Sequence, residues 1–183
     1  MRIVGGSLRG RRLATPSDDA IRPTTDRNRE SLFNVLMHHH PEKVSEGRVL
    51  DLFCGTGALG LEAISRGAAF AMFVDDGAQA RGLVRTNVEA FGLTGTTRIL
   101  RRDATRLGTA IVPPFGLVFA DPPYGKELGE RAVTAALDGG WLEEGALLVL
   151  EEASASLPTA LPGFALLDRR ASGTTATGIF RRI

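Results

Sequence analysis

The sequence predicts an α/β fold built on a doubly wound parallel sheet. Between residues 48 and 150, five apolar runs alternate with stretches long enough to form helices. Near-continuous apolar strands separated by helices indicate a parallel sheet that is covered on both faces. The chain has 183 residues, of which 43% are hydrophobic and 23% charged, and these values suit one globular domain. The composition excludes disordered, collagen-like and coiled-coil proteins.

The first 21 residues predict a small basic β-hairpin, and residues 22–183 predict the main domain. The first segment is rich in glycine, and its apolar residues suit two short strands with a turn between Gly5 and Gly10. It carries no acidic residue through position 16. Its arginines are Arg2, Arg9, Arg11 and Arg12. A basic arm on a faintly acidic body favours a polyanionic partner, although an arginine-rich genome would also place arginines here.

The remaining elements follow in chain order. Residues 23–26 offer side chains that start helices, and helical spacing of apolar residues predicts a helix over about Asp26–His39. The predicted strands cover residues 49–53, 69–74, 97–100, 116–120 and 146–150. The helices between them are expected at about 57–66, 78–91, 104–110 and 127–138. Segments 164–168 and 174–182 have no helix-length insert between them, so an antiparallel hairpin is expected at the sheet edge.

Four of the predicted strands end at an aspartate: Asp51, Asp75, Asp103 and Asp121. Taken singly, such a residue is more often a helix N-cap than a ligand. In an open parallel sheet, however, ligands bind outside the carboxyl ends of the strands, so these carboxylates are expected to meet at one rim. They suit a ligand that carries hydroxyl groups, an exocyclic amine and a cationic group.

A glycine-rich loop follows the first predicted strand. Gly55, Gly57 and Gly60 fit the pattern G-x-G-x-x-G between a strand and a helix, which is typical of dinucleotide-binding proteins. The pattern does not separate a nicotinamide cofactor from S-adenosylmethionine. Asp51 could face the ammonium group of S-adenosylmethionine and Asp103 its adenine amino group, so these two residues favour the latter ligand.

The segment Asp121-Pro122-Pro123-Tyr124 follows the apolar run 116–120. Two successive prolines remove two backbone donors and keep the chain extended. Asp121 and the Pro122 carbonyl could then accept both N–H bonds of a planar amino group, while Tyr124 stacks on the ring. An ordinary strand-ending turn would explain the two prolines alone, but their combination with the glycine loop favours chemistry on an amino group.

These motifs resemble those of known enzymes. Segment 121–124 with the glycine loop resembles the amino-group methyltransferases, which methylate exocyclic nitrogens of bases with S-adenosylmethionine. Nearly the whole chain resembles the RsmD family, which methylates a guanine N2 in bacterial 16S ribosomal RNA. The segments that carry this resemblance are Met1-Arg2-Ile3-Val4-Gly5-Gly6, Arg9-Gly10-Arg11, Arg22-Pro23-Thr24, Arg29-Glu30-Ser31-Leu32-Phe33-Asn34 and Asp51-Leu52-Phe53-Cys54-Gly55-Thr56-Gly57. The resemblance implies the Rossmann-like sheet of a class I S-adenosylmethionine methyltransferase.

The resemblance also implies roles for individual residues. The implied catalytic residues are Asp121, Pro122, Pro123 and Tyr124. The implied S-adenosylmethionine contacts are Asp51, Phe53, Gly55, Thr56 and Gly57 at the methionine part, Asp75 at the ribose, and Asp103 with Ala104 at the adenine. The implied RNA contacts are Arg2, Arg9, Arg11, Arg12, Arg22 and Thr24. The chain departs from the family where Asp75 replaces a usual glutamate and where Ser172 replaces a tyrosine before Gly173.

Three other functions stay open. The same tetrapeptide could hold N6 of adenine in DNA or RNA. A nicotinamide-dependent oxidoreductase would need a hydride-transfer site, and a non-catalytic RNA-binding assembly factor would need no cofactor. With one cysteine, no metal-ligand spacing and no long apolar run, the chain is expected to be a cytoplasmic monomer without metal or membrane contact. Its expected partner is 16S ribosomal RNA or the small ribosomal subunit.

Overall fold

The computed structural model of the chain describes residues 1–16 and 25–183. Its centre is one seven-stranded sheet in the order β3-β2-β1-β4-β5-β7-β6. The strands are β1 (Arg48–Leu52), β2 (Phe70–Asp75), β3 (Thr97–Arg101), β4 (Phe115–Ala120), β5 (Leu142–Ala153), β6 (Phe164–Ser172) and β7 (Thr175–Arg182). The helices are α1 (Asp26–His39), α2 (Pro41–Val44), α3 (Ala58–Ser65), α4 (Ala78–Ala90) and α5 (Leu128–Asp138). None of these helices has the length and apolar character needed to span a membrane.

The sheet confirms the predicted doubly wound arrangement. Strands β1 to β5 pair in parallel, and β7 pairs antiparallel with both β5 and β6. The predicted C-terminal hairpin is therefore present, with β7 inserted between β5 and the edge strand β6. The strand order reverses between β1 and β4, because β2 and β3 lie on one side of β1 and the later strands on the other. Such a reversal opens a crevice at the carboxyl ends of the two central strands.

The helix predicted at 104–110 is wrong. The structure has a single 3-10 turn, Ala104–Arg106, in its place. Asp103 caps this turn by accepting the Thr105 N–H at 2.8 Å, and Gly108 then takes a φ of +66°, which helices do not tolerate. The indole N–H of the buried Trp141 donates to the Gly108 carbonyl at 2.7 Å. This hydrogen bond holds the segment after the 3-10 turn against the core.

Apolar side chains cover both faces of the sheet and hold it rigid. On one face, Phe33 of α1, Leu61 of α3 and Val84 of α4 belong to the same buried cluster. On the other face, Val133 of α5 and Trp141 belong to a second buried cluster. Helices on both faces leave the carboxyl ends of the parallel strands as the place where the sheet meets solvent.

Residues 1–16 form a loop that is packed on the main domain. The two arms of this N-terminal loop meet in one antiparallel bridge between Arg2 and Arg12, so the predicted hairpin is present with limited pairing. Ile3 is fully buried, and the Val4 N–H donates to Glu62 Oε2 of α3 at 2.9 Å. The predicted domain boundary after residue 21, together with Arg22 and Thr24, lies outside the described residues.

Candidate functional site

The glycine loop and the Asp121-Pro122-Pro123-Tyr124 segment leave the sheet side by side. Leu52 at the end of β1 is in register with Ala120 at the end of β4. The chain continues from Leu52 into the glycine loop and from Ala120 into Asp121. The two motifs that lie about 65 positions apart in the sequence therefore share one crevice, at the point where the strand order reverses.

Three residues of the glycine loop adopt left-handed backbone conformations. The φ angles are +58° at Phe53, +54° at Gly55 and +79° at Gly57. Phe53 is a bulky residue in a conformation that usually requires glycine, so it stores local strain. A Cβ at Gly55 would meet no side chain, its nearest neighbour being the Phe53 carbonyl oxygen at 4.0 Å. The loop therefore presents bare backbone to the crevice, as a closely approaching ligand requires.

Asp51 lies beneath the loop and holds the first turn of α3. Its Oδ2 accepts the Gly60 N–H at 2.9 Å, and the residue is only 2% exposed. Burial raises the pKa of Asp51 to about 8, the neighbouring Asp75 carboxylate adds to this rise, and the Gly60 hydrogen bond opposes it. A nearby cation would favour the charged form of such a carboxylate. The arrangement suits a ligand that brings a positive charge.

Asp75 and Cys54 lie on the β2 side of the same crevice. Asp75 Oδ2 accepts the Gly55 N–H at 3.2 Å, and its Oδ1 accepts the Gly77 N–H at 2.8 Å. The shorter aspartate thus spans from the end of β2 to the glycine loop and fixes the loop's position. Burial, with the charges of Asp51 and Asp75, raises the pKa of the Cys54 thiol, so this buried thiol is neutral and a poor nucleophile.

Asp103 caps the 3-10 turn that follows it, as a strand-ending aspartate often does. Its Oδ1 accepts from both the hydroxyl and the backbone N–H of Thr105, at 2.7 and 2.8 Å. The Thr105 side-chain and backbone hydrogen bonds lower the pKa of Asp103, which keeps the carboxylate charged. Ala104 is buried in the core. The adenine contacts of Asp103 and Ala104 stay predictions.

Segment 121–124 is held between α5 and the end of β5. Pro122 is buried, and a Cβ added to Gly129 of α5 would lie 3.2 Å from Pro122 Cγ. The Tyr124 hydroxyl donates to Glu151 Oε1 of β5 at 2.6 Å. The Gly125 N–H donates to Glu152 Oε1 at 3.0 Å. The turn after β4 is therefore fastened at its tyrosine and at the residue that follows it.

The sequence analysis missed Glu151 and Glu152. They are carboxylates at the end of a parallel strand, as are the four aspartates that the sequence analysis singled out. The apolar run was expected to end at Leu150, and Glu151 follows it directly, so the same rule applied to β5 would have found this pair. What no spacing rule could show is that the two carboxylates turn towards the β4 loop.

The predicted RNA-contacting arginines of the N-terminal loop are all exposed; they are Arg2, Arg9, Arg11 and Arg12. Arg11 differs from the others because its guanidinium lies 4.8 Å from the Phe91 ring centroid and donates to the Ala90 carbonyl at 2.8 Å, at the end of α4. The N-terminal loop also reaches the glycine loop, since the buried Thr56 hydroxyl lies 3.6 Å from Met1 Sδ. The basic arm therefore lies beside the crevice.

The residues of the crevice fit S-adenosylmethionine. Gly55 offers open backbone, the buried Asp51 carboxylate suits a cation, and Asp75 lies at the end of β2, next to the glycine loop and on the side of β1 opposite β4. Across residues 1–16 and 25–183, no group of three or more histidine, cysteine, aspartate or glutamate side chains could hold a metal ion.

A family model described as Conserved hypothetical protein 95 matches residues 1–181. The chain belongs to this family. It is 36% identical over 184 residues to Ribosomal RNA small subunit methyltransferase D of Escherichia coli K12, covering 100% of this chain and 90% of that protein. These matches confirm the predicted resemblance to the RsmD family.

Solved structures agree with this assignment. The structure of yhhF from Escherichia coli, named as a candidate methyltransferase, superimposes with a TM-score of 0.84 at 35% identity, covering 100% of this chain and 97% of that chain. The structure of HI0767 from Haemophilus influenzae, named as a candidate methylase, superimposes with a TM-score of 0.81 at 26% identity, covering 100% of this chain and 98% of that chain. The α/β methyltransferase fold is thereby confirmed.

This RsmD family member has a short polar side chain, Ser172, where the family resemblance led us to expect a tyrosine. Ser172 Oγ accepts a hydrogen bond from Asn28 Nδ2 of α1 at 3.1 Å. Arg170 of the same strand donates to the Ser31 hydroxyl at 3.4 Å. The end of β6 is therefore tied to the first turns of α1 by small polar contacts.

Proposed function

We propose that this protein transfers a methyl group from S-adenosylmethionine to the N2 amino group of a guanine in 16S ribosomal RNA. The observation that carries the proposal is the placement of segment 121–124 beside the glycine loop, at the reversal of strand order. Membership of the RsmD family supports the substrate class, since the Escherichia coli relative is named as a ribosomal RNA small subunit methyltransferase. A ribosomal substrate places the reaction in the cytoplasm.

The residues of segment 121–124 would orient the target nitrogen. The lone pair of a guanine N2 is delocalised into the ring, which makes the nitrogen a weak nucleophile. When both N–H bonds are accepted, by the Asp121 carboxylate and the Pro122 carbonyl, the lone pair can turn out of the ring plane. Orientation of this kind can supply ~7–11 kcal/mol in favourable cases. The Asp121 charge also stabilises the positive charge that develops on the nitrogen.

The cofactor side of the crevice would be held by the first two strands. Bound S-adenosylmethionine supplies an electrophilic methyl group and needs no metal to do so. Asp51 would face its ammonium group, Asp75 its ribose hydroxyls, and Gly55 would give its backbone close access. After transfer, the nitrogen is acidic and its surplus proton can pass to the Asp121 carboxylate or to water. Tyr124 would stack on the base, which must leave its helix to enter the crevice.

Methyl transfer to small ribosomal subunits that lack the modification tests this proposal. Labelled S-adenosylmethionine is the donor, Asp121→Ala the inactive variant, and Asp138→Ala, which changes an exposed aspartate at the end of α5, the matched control. We expect label in N2-methylguanine with the wild-type protein and with Asp138→Ala, and none with Asp121→Ala, which should still bind the cofactor. Label in N6-methyladenine would move the proposal to adenine, and normal turnover by Asp121→Ala would refute the role of segment 121–124.

A further inference from the structure

Tyr124 is the only tyrosine of the chain, and it sits on a loop whose backbone is unusual. Gly125 has a φ of +77° and Glu127, which precedes α5, a φ of +53°. Loops of this kind do not hold an aromatic ring in one place by themselves, because they lack the ladder of hydrogen bonds that fixes a strand. A ring that must lie flat on a base needs a support from outside the loop.

Glu151 is placed to give that support. Ala120, the last residue of β4, is in register with Leu150 of β5, so Asp121, which follows β4, lies next to Glu151 of β5. The backbone of Glu151 also pairs with Thr177 of β7, which fixes it within the sheet. Sites built on strands are positioned more accurately than sites built on loops. Glu151 therefore links the loop to the rigid part of the molecule.

The contact itself has the geometry of a strong hydrogen bond. The Tyr124 hydroxyl donates to Glu151 Oε1 at 2.6 Å, within the ~2.5–2.7 Å typical of a hydroxyl that donates to a carboxylate. The phenolic oxygen lies on the axis about which the ring turns, so a bond at this atom determines where that axis points. Glu152 makes a second hydrogen bond to the same loop, because its Oε1 accepts the N–H of Gly125, the residue after Tyr124.

We infer that Glu151 is a positioning residue for methyl transfer, which acts by fixing the ring of Tyr124 through this hydrogen bond. The inference goes beyond the proposed function and depends on it, since it assumes that Tyr124 stacks on the target base. Misplacement of a reacting group by about 1 Å can lower a rate ~100-fold. Loss of the Glu151 carboxylate should therefore slow methyl transfer while S-adenosylmethionine, bound mainly by the loops after β1 and β2, keeps its affinity.

Fluorine NMR tests the contact without requiring activity. Growth on 3-fluorotyrosine labels Tyr124 alone, because the chain has one tyrosine. We expect Glu151→Ala to shift and narrow this single resonance, as the ring gains freedom. Glu151→Gln, which retains an acceptor, should shift it less. Glu144→Ala is the matched control, because Glu144 is an exposed glutamate on the same strand, and it should leave the resonance unchanged.

Single-turnover methyl transfer tests the consequence. We expect Glu151→Ala and Tyr124→Phe to lower the rate each by ~10- to 100-fold, and the double variant to lose no more than either alone, because one interaction is removed in all three. An unchanged fluorine resonance in Glu151→Ala, a wild-type rate for this variant, or additive losses in the double variant would each overturn the inference. If the wild-type protein transfers no methyl group to ribosomal RNA, the proposed function fails and the inference fails with it.

Discussion

Gly60 shows how closely the residues next to the glycine loop are packed. A Cβ at this position would lie 2.4 Å from Phe73 Cε1 and 3.1 Å from Asp51 Oδ2. Neither atom can move away freely, because Phe73 is fully buried in the core and Asp51 accepts the Gly60 N–H. The third glycine of the pattern therefore serves the contact between α3 and the sheet.

Replacement of Gly60 by alanine should destabilise the protein and weaken cofactor binding. Overpacking of a filled core costs ~1–3 kcal/mol, and the shift of Phe73 or Asp51 would disturb the floor of the crevice. The matched control is Gly82→Ala in the interior of α4, where a Cβ would meet no atom within 4 Å, and this change should stabilise by ~0.5–1 kcal/mol. Urea unfolding measures the free energy of unfolding of both variants. Equal changes in Gly60→Ala and Gly82→Ala would contradict the conclusion that Gly60 is closely packed.

If Asp51 binds S-adenosylmethionine as proposed, its raised pKa should make this binding depend on pH. With a pKa of about 8, this carboxyl is largely protonated at pH 7 in the free protein. A cationic ammonium group favours the ionised form, so binding should release a proton and the affinity should rise between pH ~6 and ~8, by at most tenfold per pH unit. Above pH ~8 the affinity should fall, since the carboxyl is already charged and the α-ammonium group of the ligand, with a pKa of ~8, loses its proton.

Calorimetry in two buffers of different ionisation enthalpy measures this proton release. At pH 7 the wild-type protein should release a fraction of one proton on binding S-adenosylmethionine. Asp51→Asn should bind more weakly and lose the pH dependence. Binding by the wild-type protein without proton release would show that Asp51 does not face the ammonium group.

At the scale of elements, the N-terminal loop is joined to two helices by buried charges. Arg29 of α1 and Glu62 of α3 are both fully buried, with Arg29 Nε 3.5 Å from Glu62 Oε2. Arg29 also donates to the Arg2 carbonyl and to Asp26 Oδ1, and Glu62 accepts the Val4 N–H. These contacts fix the basic arm against α1 and α3.

Arg29→Met should be strongly destabilising. Removing one partner of a buried ion pair leaves an uncompensated charge and typically costs ~3–5 kcal/mol, although the bond from Arg66 Nε to Glu62 Oε1 at 2.8 Å should keep the loss near ~3 kcal/mol. Arg27→Met, which changes an exposed arginine of the same helix, is the control and should change stability by less than ~0.5 kcal/mol. Guanidinium unfolding followed by Trp141 fluorescence measures the stability of both variants. A loss of stability in Arg29→Met as small as that in Arg27→Met would show that the buried ion pairs contribute little.

The sequence was enough to predict the elements that are determined by nearby residues. It was not enough where a contact between residues far apart in the chain determines the structure. Alternating apolar runs predicted the central strands, and helical spacing predicted α1 within its observed bounds. The segment after Asp103 looked helical, but Gly108 and its contact with Trp141, 33 positions away, end it after one turn. The bond from Tyr124 to Glu151 crosses 27 positions, and no periodicity reports it. Likewise, the raised pKa of Asp51 follows from burial, which only the packed fold determines.

At the scale of the whole molecule, the positive charge is unevenly distributed. Residues 1–31 carry seven of the twenty arginines and four of the 21 acidic residues. Arg9, Arg11 and Arg12 of the N-terminal loop are all exposed, but the guanidinium of Arg11 is engaged by the Phe91 ring and the Ala90 carbonyl. Because those contacts occupy the guanidinium of Arg11, we propose that the phosphate contacts of the arm are made by Arg9 and Arg12 in preference to Arg11.

The salt dependence of RNA binding should separate these arginines. The affinity for RNA falls as salt rises, and each lost phosphate contact makes the slope of log K against log salt concentration less steep by ~0.7–0.9. Replacement of both Arg9 and Arg12 by glutamine should therefore reduce the magnitude of the slope by about 1.4–1.8. Arg11→Gln should leave the slope unchanged and lower stability instead. Fluorescence anisotropy with a 16S ribosomal RNA fragment measures the slope, and a lower slope for Arg11→Gln alone would reverse this assignment.

The place of β7 in the sheet has a consequence for biosynthesis. This strand lies between β5 and β6, yet it leaves the ribosome after both. Until it emerges, β5 exposes an unpaired edge beside the strand end that carries Glu151, and β6 has no partner in the sheet. Domains generally fold as units during synthesis, so the sheet can be completed only after its last strand, β7, has been made. A nascent chain would thus lack the complete crevice, including the strand end that carries Glu151, until the end of translation.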